Sequence, residues 1–237
     1  MKIAIIPARG GSKRIPRKNI KTFAGKPMIA HAITAAISSG LFEHVVVSTD
    51  DAEIADIARS WGATTPFVRP EELANDHTAT VPVIAHGIQA CRALGWEFGL
   101  VCCIYPGVPF IQIEDLKGSL ELLAASAAEY SFPITEFPSA IQRALKRGAD
   151  GRMAPFYPDY ELARTQDLEP AYHDAGQFYW GKTEAWLNNP KIHSSGVGYA
   201  IPNWRVVDID TEDDWLRAEK LRDSISGCNT SIKRDDK

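Results

Sequence analysis

Strand-like and helix-like segments alternate along the first half of this 237-residue chain. Apolar runs typical of buried strands lie at 2–7, 44–49 and 100–105. Helical patterns accompany them at 27–40, 51–61, 81–94 and 113–128. This alternation is typical of an α/β sheet with right-handed crossovers. We therefore predict a Rossmann-like, mainly parallel sheet, with any ligand bound beyond the carboxyl ends of its strands.

Three segments that could contact a ligand fall at such carboxyl ends. They are the glycine-rich basic loop after residue 7, Asp50 after the second strand, and residues 106–109 after the third. Asp50 can accept a hydrogen bond from a ribose or a base, or it can cap the helix that follows, and we favour the cap. The agreement of three independent positions predicts a binding site at this edge of the sheet.

The loop after the first strand combines a glycine pair with a dense run of cations. Gly10 and Gly11 let the backbone approach a ligand closely, so that amide groups can point at phosphate oxygens. The cations of this segment are Arg9, Lys13, Arg14, Arg17 and Lys18. Together they suit a nucleoside triphosphate from which pyrophosphate departs. An ordinary turn or a solvated basic surface is the alternative, and the spacing matches neither the ATPase P-loop nor Gly-x-Gly-x-x-Gly.

The composition places this basic loop against an acidic background. The net charge is −4 and the pI is about 5.9, so no overall positive field favours nucleic acid, and a small anionic ligand is expected instead. No apolar run reaches the roughly 18 residues that span a bilayer. The N-terminal segment does not resemble a signal peptide, because proline, arginine and glycines interrupt it. We therefore expect a cytoplasmic protein with neither a nucleic-acid nor a membrane partner.

The sequence predicts a single domain over residues 1–226. Between about 135 and 172 the chain becomes rich in proline, tyrosine and charge, which indicates an excursion from the sheet with a hairpin turn at 149–152. A strand at 205–210 and a helix starting at Thr211 are predicted to close the domain. Residues 227–237 are polar and are predicted to form a disordered tail. The cysteines lack metal-ligand spacing and are predicted to be reduced packing residues: Cys91, Cys102, Cys103 and Cys228.

Two carboxylates near the end of the chain are spaced for a common face. Asp208 and Asp210 are two residues apart on the predicted strand, so their side chains would project to the same side. They would repel each other unless a cation lies between them, and a hard ion such as Mg²⁺ suits oxygen ligands and substrate phosphates. A helix-capping pair before the helix at Thr211 explains the spacing equally well.

The string PARGGSKRIPRKN resembles the signature loop of the sialic-acid-type cytidylyltransferases, the CMP-sialic acid synthetase family. The resemblance covers nearly the whole chain except the tail. It implies a fold of the nucleotide-diphospho-sugar transferase type. It also implies transfer of CMP from CTP to the anomeric hydroxyl of a nine-carbon ulosonic acid, with release of pyrophosphate. Family members are homodimers, which implies that the excursion at 135–172 contacts a second copy.

The resemblance also implies roles for individual residues. Lys18 and Arg9 would be catalytic, and Asp208 and Asp210 would bind Mg²⁺ or another divalent cation. The nucleotide would be bound by Ala8, Arg9, Gly10, Gly11, Ser12, Lys18, Asn19, Arg69 and Thr80. By composition alone, residues 69–80 are only a polar connector, with Thr78 or Thr80 as the cap of the next helix.

The sugar acid is assigned to segments in the second half of the chain. Arg164 can fork onto a carboxylate, and hydroxyl or acetamido groups could be bound by Tyr105, Gln166, Asp174 and Gln177. The string HDAGQFYW at 173–180 is similar to the pseudaminic acid branch of the family, which implies pseudaminic acid as the substrate. The alternative is that the aromatic residues Phe178 and Trp180 are sheet core.

Three other functions stay open at this point. The same chemistry could act on another ulosonic acid, legionaminic or N-acetylneuraminic. A nucleotidyltransferase for a sugar 1-phosphate is disfavoured by Lys18, Asn19 and Arg69. A nucleotide-binding regulator without catalysis is supported only by the 106–109 loop, where Gly107 replaces the family's threonine. No role is assigned to the histidines outside that string, which lack partners at catalytic spacing: His31, His44, His77, His86 and His193.

Overall fold

The computed structural model describes residues 1–231, with side chains up to residue 225. The strands are β1 (Lys2–Pro7), β2 (Thr22–Phe23), β3 (Lys26–Pro27), β4 (His44–Ser48), β5 (Leu100–Ile104), β6 (Tyr130–Glu136), β7 (Leu145–Arg147), β8 (Met153–Pro155), β9 (Tyr172–Asp174), β10 (Phe178–Lys182) and β11 (Gly196–Ala200). The α-helices are α1 (Met28–Ser39), α2 (Ala52–Ser60), α3 (Thr80–Ala93), α4 (Ile113–Ala124), α5 (Thr183–Asn188) and α6 (Glu212–Ser231).

A seven-stranded sheet forms the centre of the molecule. Its strand order is β11-β6-β10-β5-β1-β4, and β9 pairs with β6 outside this path. β1 lies between β5 and β4 and is parallel to both, whereas β10 is antiparallel to both of its neighbours. Only β10 and β9 therefore run against the common direction within this sheet, which confirms the predicted mainly parallel α/β fold.

The apolar character of β1 follows from burial on both faces. Its residues Ile3 to Ile6 have no exposed surface. Alternate side chains point to opposite faces. Ile3 and Ile5 accordingly pack in one cluster with Ile84 of α3, whereas Ala4 and Ile6 pack in another with Ile29 of α1. Helices on both sides thus explain why the predicted strand shows no polar face.

The predicted elements of the first half are present within a few residues of their predicted ends. α1 ends at Gly40, which has a φ of 66°, the left-handed conformation that favours glycine. α4 ends at Ala124, four residues before the predicted end at 128. In the excursion, β7 and β8 form the expected hairpin around 149–152. The excursion itself also contains short 3₁₀ turns at Ile141–Arg143, Pro158–Tyr160 and Thr165–Asp167.

The predicted strand at 205–210 is wrong. A 3₁₀ turn occupies Asn203–Arg205, and residues 206–210 are irregular, while β11, which was not predicted, pairs with β6 at the sheet edge. Ile209 is buried in a separate cluster with Phe23 and Trp215. The apolar alternation therefore reports burial of one side of an extended segment, and burial of that kind does not require sheet pairing.

The start of α6 agrees with its predicted cap. The Asp214 amide donates to Thr211 Oγ1 at 3.2 Å, and Asp214 Oδ2 accepts from the Thr211 amide at 2.9 Å, as in a capping box. The helix continues to Ser231, and the disorder of the tail stays a prediction. Residues 232–237 lie outside the described residues.

Two aromatic residues of the string HDAGQFYW and three of the cysteines lie in the core. Phe178 and Trp180 are fully buried, so the core interpretation is correct for both, and Trp180 Nε1 donates to Leu116 O at 3.0 Å. Three cysteines, Cys91, Cys102 and Cys103, are free and buried, as predicted, and the Cys228 side chain lies outside the described residues. Among the described helices, none has the combination of length and apolar character needed to cross a membrane.

Candidate active site

Adjacent strands bring the basic loop next to the end of β4. The Ala8 amide donates to Ser48 O at 2.9 Å, and the Gly10 amide donates to Asp50 Oδ1 at 3.0 Å. Asp50 therefore holds the loop. The predicted capping role of Asp50 is wrong by one residue, because Asp51 accepts from the Ile54 amide at 3.0 Å and caps α2.

Gly10 is required by its close approach to Asp51. A Cβ atom on Gly10 would lie 2.6 Å from Asp51 Oδ2, whereas a Cβ atom on Gly11 would meet nothing within 4 Å. Asp51 also forms an ion pair with Arg17, whose φ of 55° lies in the left-handed region. Arg17 thus anchors the loop to the start of α2. It does not line the cavity described next, so this predicted cation is structural.

A cavity of about 510 Å³ opens at the carboxyl ends of the central strands. It lies between the basic loop, the segment that precedes α3, and the end of β5. Most of the residues assigned to nucleotide line it: Arg9, Ser12, Lys18, Asn19, Arg69 and Thr80. Tyr105 and Asp210 line it as well. Of the three predicted strand-end segments, the basic loop and Pro106 line this cavity, whereas Asp50 does not line it and instead holds the loop through the Gly10 amide.

Asp76 is the partner of two cations at the rim of this cavity. It forms ion pairs with Arg9 and with Lys13, the latter at 2.5 Å. Hydrogen bonds from Lys13 and Arg9 lower the pKa of the Asp76 carboxyl to about 2. Asp76 is consequently ionised at neutral pH and competes with any anionic ligand for these two cations.

Lys18 and Arg14 converge on Asp210 at the other side of the cavity. Lys18 Nζ donates to Ile209 O at 2.7 Å and lies 3.3 Å from Asp210 Oδ1. Arg14 Nη2 lies 2.8 Å from Asp210 Oδ2. The irregular segment before α6 is thereby tied to the basic loop, and the predicted catalytic lysine lies beside a predicted metal ligand.

Asn19 and Arg69 are buried polar residues that keep their neighbours in place. Asn19 Nδ2 donates to Arg9 O at 3.0 Å, which positions the basic loop. Arg69 is only 4% exposed, and its guanidinium donates to both Oγ and O of Ser48. Burial lowers the pKa of Arg69 to about 10, opposed by the negative charge of Asp50, so the guanidinium is still protonated at neutral pH. A fixed cation therefore lines the cavity.

Asp208 and Asp210 lie on an irregular segment, and the charge of Asp210 acts on Asp208. The Asp208 side chain is exposed at the surface. Partial desolvation by the surrounding protein and then the charge of Asp210 raise the pKa of its carboxyl. The described residues contain no group of three or more His, Cys, Asp or Glu side chains that could hold a metal. A cation here would need phosphate oxygens or water as further ligands. Asp210 lines the cavity and Asp208 does not, and the oxygen donors of the two carboxylates suit such a partly protein-bound ion.

Thr80 and Tyr105 separate the first cavity from a second one. Thr80 Oγ1 and Tyr105 Oη are 2.7 Å apart, and both residues line both cavities. Neither Thr78 nor Thr80 caps α3, whose N-cap position is Ala79. The second cavity has a volume of about 420 Å³ and is also lined by Tyr179 and His193. The wall between the cavities is thus made of two hydroxyl groups.

Asp174 orders the far wall of the second cavity. Its Oδ2 accepts from Tyr179 Oη at 2.7 Å and lies 2.7 Å from His193 Nε2. Its Oδ1 accepts from the Gly176 amide at 2.7 Å. Of the residues assigned to the sugar acid, Tyr105 therefore lines this cavity, whereas Asp174 lies behind its wall and contacts the lining residues Tyr179 and His193.

The other residues assigned to the sugar acid lie elsewhere. Arg164 and Gln166 are exposed on the excursion and line neither cavity. Gln177 is 4% exposed, and its Nε2 donates to Arg205 O at 3.1 Å. Its Oε1 has no hydrogen-bond partner within the described residues. These three assignments stay predictions.

Sequence reasoning missed several residues at the site. Asp76, Tyr179 and His193 received no role, although Asp76 lies in the connector that follows Arg69 and Tyr179 lies in the aromatic string. For Asp76 and Tyr179, the only signal in the sequence is a single polar residue within a segment that was already considered. Only the fold places His193 beside Asp174, from which it is 19 positions away.

The comparisons with known proteins agree with this geometry. A family model described as cytidylyltransferase matches residues 3–147. The chain is 41% identical to pseudaminic acid cytidylyltransferase of Campylobacter jejuni, over 90% of this chain and 92% of that protein. It is 32% identical to CMP-N,N'-diacetyllegionaminic acid synthase of Legionella pneumophila, over 92% of this chain and 95% of that protein.

A solved structure resembles the fold over almost its full length. CMP:2-keto-3-deoxy-manno-octonic acid synthetase, complexed with CTP, matches with a TM-score of 0.70 at 17% identity, covering 94% of this chain and 98% of that one. This likeness supports the nucleotidyltransferase fold. Together with the family match and the relatives, it establishes that the chain is a nucleotidyltransferase of the cytidylyltransferase family.

Proposed function

We propose that this protein transfers CMP from CTP to the anomeric hydroxyl of pseudaminic acid and releases pyrophosphate. The observation that carries the proposal is the cluster of cations around one cavity at the carboxyl ends of the central strands: Arg9, Lys13, Arg14, Lys18 and Arg69. A triphosphate is the small ligand whose charge such a cluster matches. The choice of sugar rests on the Campylobacter jejuni relative and on the string HDAGQFYW.

The chemical step is an in-line displacement at the α-phosphorus of CTP. The anomeric oxygen of the sugar forms a new bond to phosphorus, the bond to the pyrophosphate oxygen breaks, and the hydroxyl proton is released. The anomeric carbon–oxygen bond of the sugar stays intact. Because charge accumulates on phosphate oxygens during this step, preorganised cations lower the barrier.

The basic loop supplies those cations. Lys18 Nζ donates to Ile209 O and to Asp210 Oδ1. We assign this ammonium group to the α-phosphate. Arg9 and Lys13 lie at the rim, where they suit the leaving pyrophosphate. The amides of Ala8, Gly10 and Ser12 already donate to Ser48 O, Asp50 Oδ1 and Gly10 O, so these residues shape the loop beside the triphosphate. The Gly11 amide is proposed to contact a phosphate oxygen, while Asn19 holds the loop through Arg9 O. Arg69 and Thr80 are proposed to contact the nucleoside.

Asp208 and Asp210 are proposed to hold a divalent cation, Mg²⁺ in the first instance. Partial desolvation and then the charge of Asp210 raise the pKa of Asp208, and a divalent cation held by both carboxylates would offset the repulsion between them. When bound, the ion would neutralise phosphate charge and help to orient the triphosphate. Asp210 would then exchange its ion pairs with Arg14 and Lys18 for the metal, which leaves both cations for phosphate.

The excursion is proposed to form the contact of a homodimer. Its apolar side chains are unusually exposed for a single chain: Phe137, Ile141, Leu145, Met153, Phe156, Tyr157, Tyr160, Leu162 and Tyr172. Leu162 is 97% exposed. A patch of that kind favours a protein partner. Light scattering tests the dimer, and a monomer at working concentration, or an unchanged mass for Leu162→Glu, would contradict it.

Pyrophosphate release tests the proposed function directly. The purified protein is given CTP and Mg²⁺ with pseudaminic, N,N'-diacetyllegionaminic or N-acetylneuraminic acid in separate reactions. We expect the highest kcat/KM with pseudaminic acid. Release with another acid alone would keep the chemistry and replace the substrate. A protein that binds CTP but is silent with all three acids would overturn the proposal. Cytoplasmic location and the absence of nucleic-acid or membrane partners stay predictions.

A further inference from the structure

The second cavity contains a histidine that the proposed chemistry does not use. His193 follows α5 in the chain and lines this cavity together with Thr80, Tyr105 and Tyr179. Its side chain is 67% exposed, so its ring is open to a ligand. The cavity adjoins the proposed triphosphate site through the Thr80–Tyr105 pair, which places any occupant beside the nucleotide.

The imidazole of His193 is held in a defined position. Its Nε2 lies 2.7 Å from Asp174 Oδ2, and its ring packs edge-on against Phe132 with centroids 5.1 Å apart. Asp174 is fixed in turn by Tyr179 Oη and the Gly176 amide. A carboxylate accepts hydrogen bonds, so Nε2 carries a proton. In the neutral ring Nδ1 is then an acceptor, and it makes no hydrogen bond to the described part of the protein.

The walls of the cavity indicate what kind of group it suits. Hydroxyl groups of Thr80, Tyr105 and Tyr179 can donate or accept, and burial raises the pKa of Tyr105 to about 12, so its hydroxyl stays protonated at neutral pH. Apolar surface comes from Val81 and Ile192. An acylamino group presents an N–H donor, a carbonyl acceptor and a methyl group, and this mixture of walls can match all three.

We propose that His193 is a specificity-determining residue of the second cavity. Its Nδ1 accepts a hydrogen bond from an amide N–H or hydroxyl of the ulosonic acid, and Asp174 is the positioning residue that sets its tautomer and orientation. This inference rests on the proposed function, because it requires the sugar acid to occupy the space beyond Thr80 and Tyr105. It adds a selecting contact that neither the cation cluster nor the basic loop supplies.

The test compares His193→Phe with the wild-type protein. Phenylalanine keeps the ring packing against Phe132 and removes both nitrogens. One neutral hydrogen bond is worth enough to raise the KM for the sugar acid roughly three- to tenfold. We expect that rise with pseudaminic acid, with an unchanged CTP affinity by calorimetry and an unchanged melting temperature. The preference for pseudaminic over N-acetylneuraminic acid should narrow in the same variant.

His44→Phe is the matched control. His44 also packs against an aromatic ring, in this case stacked on Trp96 with centroids 3.8 Å apart. It lies at the opposite end of β4 from the site. This variant should keep every kinetic constant. A double-mutant cycle with Asp174→Asn adds a second readout. If Asp174 acts through His193, the double variant should lose less sugar affinity than the product of the single losses predicts.

The outcomes separate this inference from the proposed function. Wild-type protein that uses no ulosonic acid would overturn the proposed function and this inference with it. Active wild-type protein with an unchanged sugar KM in His193→Phe would overturn the role of His193 alone. Equal losses in sugar and CTP binding, or a lowered melting temperature, would assign His193 a merely structural role and would also overturn the proposal.

Discussion

Lys18 Nζ lies 3.3 Å from Asp210 Oδ1, although 192 positions separate the two residues. This contact joins the loop after the first strand to the segment before the last helix. It brings a proposed phosphate ligand and a proposed metal ligand to one side of the cavity. The catalytic arrangement therefore depends on the packing of the segment before α6 against the basic loop as much as on the basic loop itself.

Replacing either member of this pair should abolish most turnover. Lys18→Ala removes a preorganised cation, and such a loss typically costs about 3 kcal/mol of barrier, or roughly a hundredfold in kcat. Asp210→Asn should have a similar effect because it weakens the binding of the divalent cation. Pyrophosphate release measures both, and circular dichroism checks the fold. The control is Lys117→Ala on an exposed face of α4. Near-normal kcat in either site variant would refute the assigned roles.

Gly10 of the basic loop should not tolerate alanine. In Gly10→Ala the new methyl group would meet Asp51 Oδ2 at 2.6 Å, so the loop must shift away from α2. We expect kcat/KM to fall at least tenfold, since misplaced cations lose transition-state contacts. The control is Gly99→Ala just before β5, away from the cavity, where a Cβ atom meets nothing within 4 Å, and its activity should be close to wild type. Equal behaviour of the two variants would contradict this account of the loop.

Removing the charge of Asp76 should tighten CTP binding. Asp76 occupies the donors of Arg9 and Lys13, so phosphate must displace it. In Asp76→Asn the competition weakens, and we expect a severalfold lower Kd for CTP by calorimetry with little change in kcat. The pKa of Asp76, lowered to about 2, keeps the carboxylate ionised above roughly pH 3. The gain should therefore be constant between about pH 6 and 8.

Asp56→Asn is the matched control for the Asp76 variant. Asp56 is an exposed carboxylate that pairs with Arg59 on α2 and does not line the cavity. Its replacement should leave the Kd for CTP unchanged. If Asp76→Asn weakens CTP binding, Asp76 supports the nucleotide site and does not compete with it.

Arg69 should not be replaceable by lysine. The buried guanidinium donates to both Oγ and O of Ser48 at once, and an ammonium group cannot reproduce that planar fork. Arg69→Lys should raise the KM for CTP and lower the free energy of unfolding by about 1–3 kcal/mol, the cost of an unsatisfied buried polar group. Denaturant unfolding measures the second effect. The exposed, paired Arg92→Lys on α3 is the control and should change neither quantity.

The sequence by itself determined the strands and helices of the first half of the chain and the edge of the sheet at which a ligand would bind, but not the sheet strands β6 and β11. Apolar runs such as residues 2–7 are long enough to specify local structure, and Gly40 correctly marked the end of α1, whereas the cap predictions at Asp50 and at Thr78 or Thr80 were wrong. The basic loop was also recognisable, because its glycines and cations are contiguous. The basic loop could therefore be predicted from local patterns, whereas Arg69 and Thr80 were assigned only through the family resemblance.

The tertiary structure alone decided which of those residues act together. It turned the predicted strand at 205–210 into an irregular segment that closes on Lys18, because Ile209 is buried against Phe23 and Trp215 instead of a neighbouring strand. It gave Arg17 a structural role and brought Asp174 to His193. Such contacts depend on long-range packing and on competition between charged partners. Neither leaves a periodic signal in the sequence, so only the folded chain reveals them.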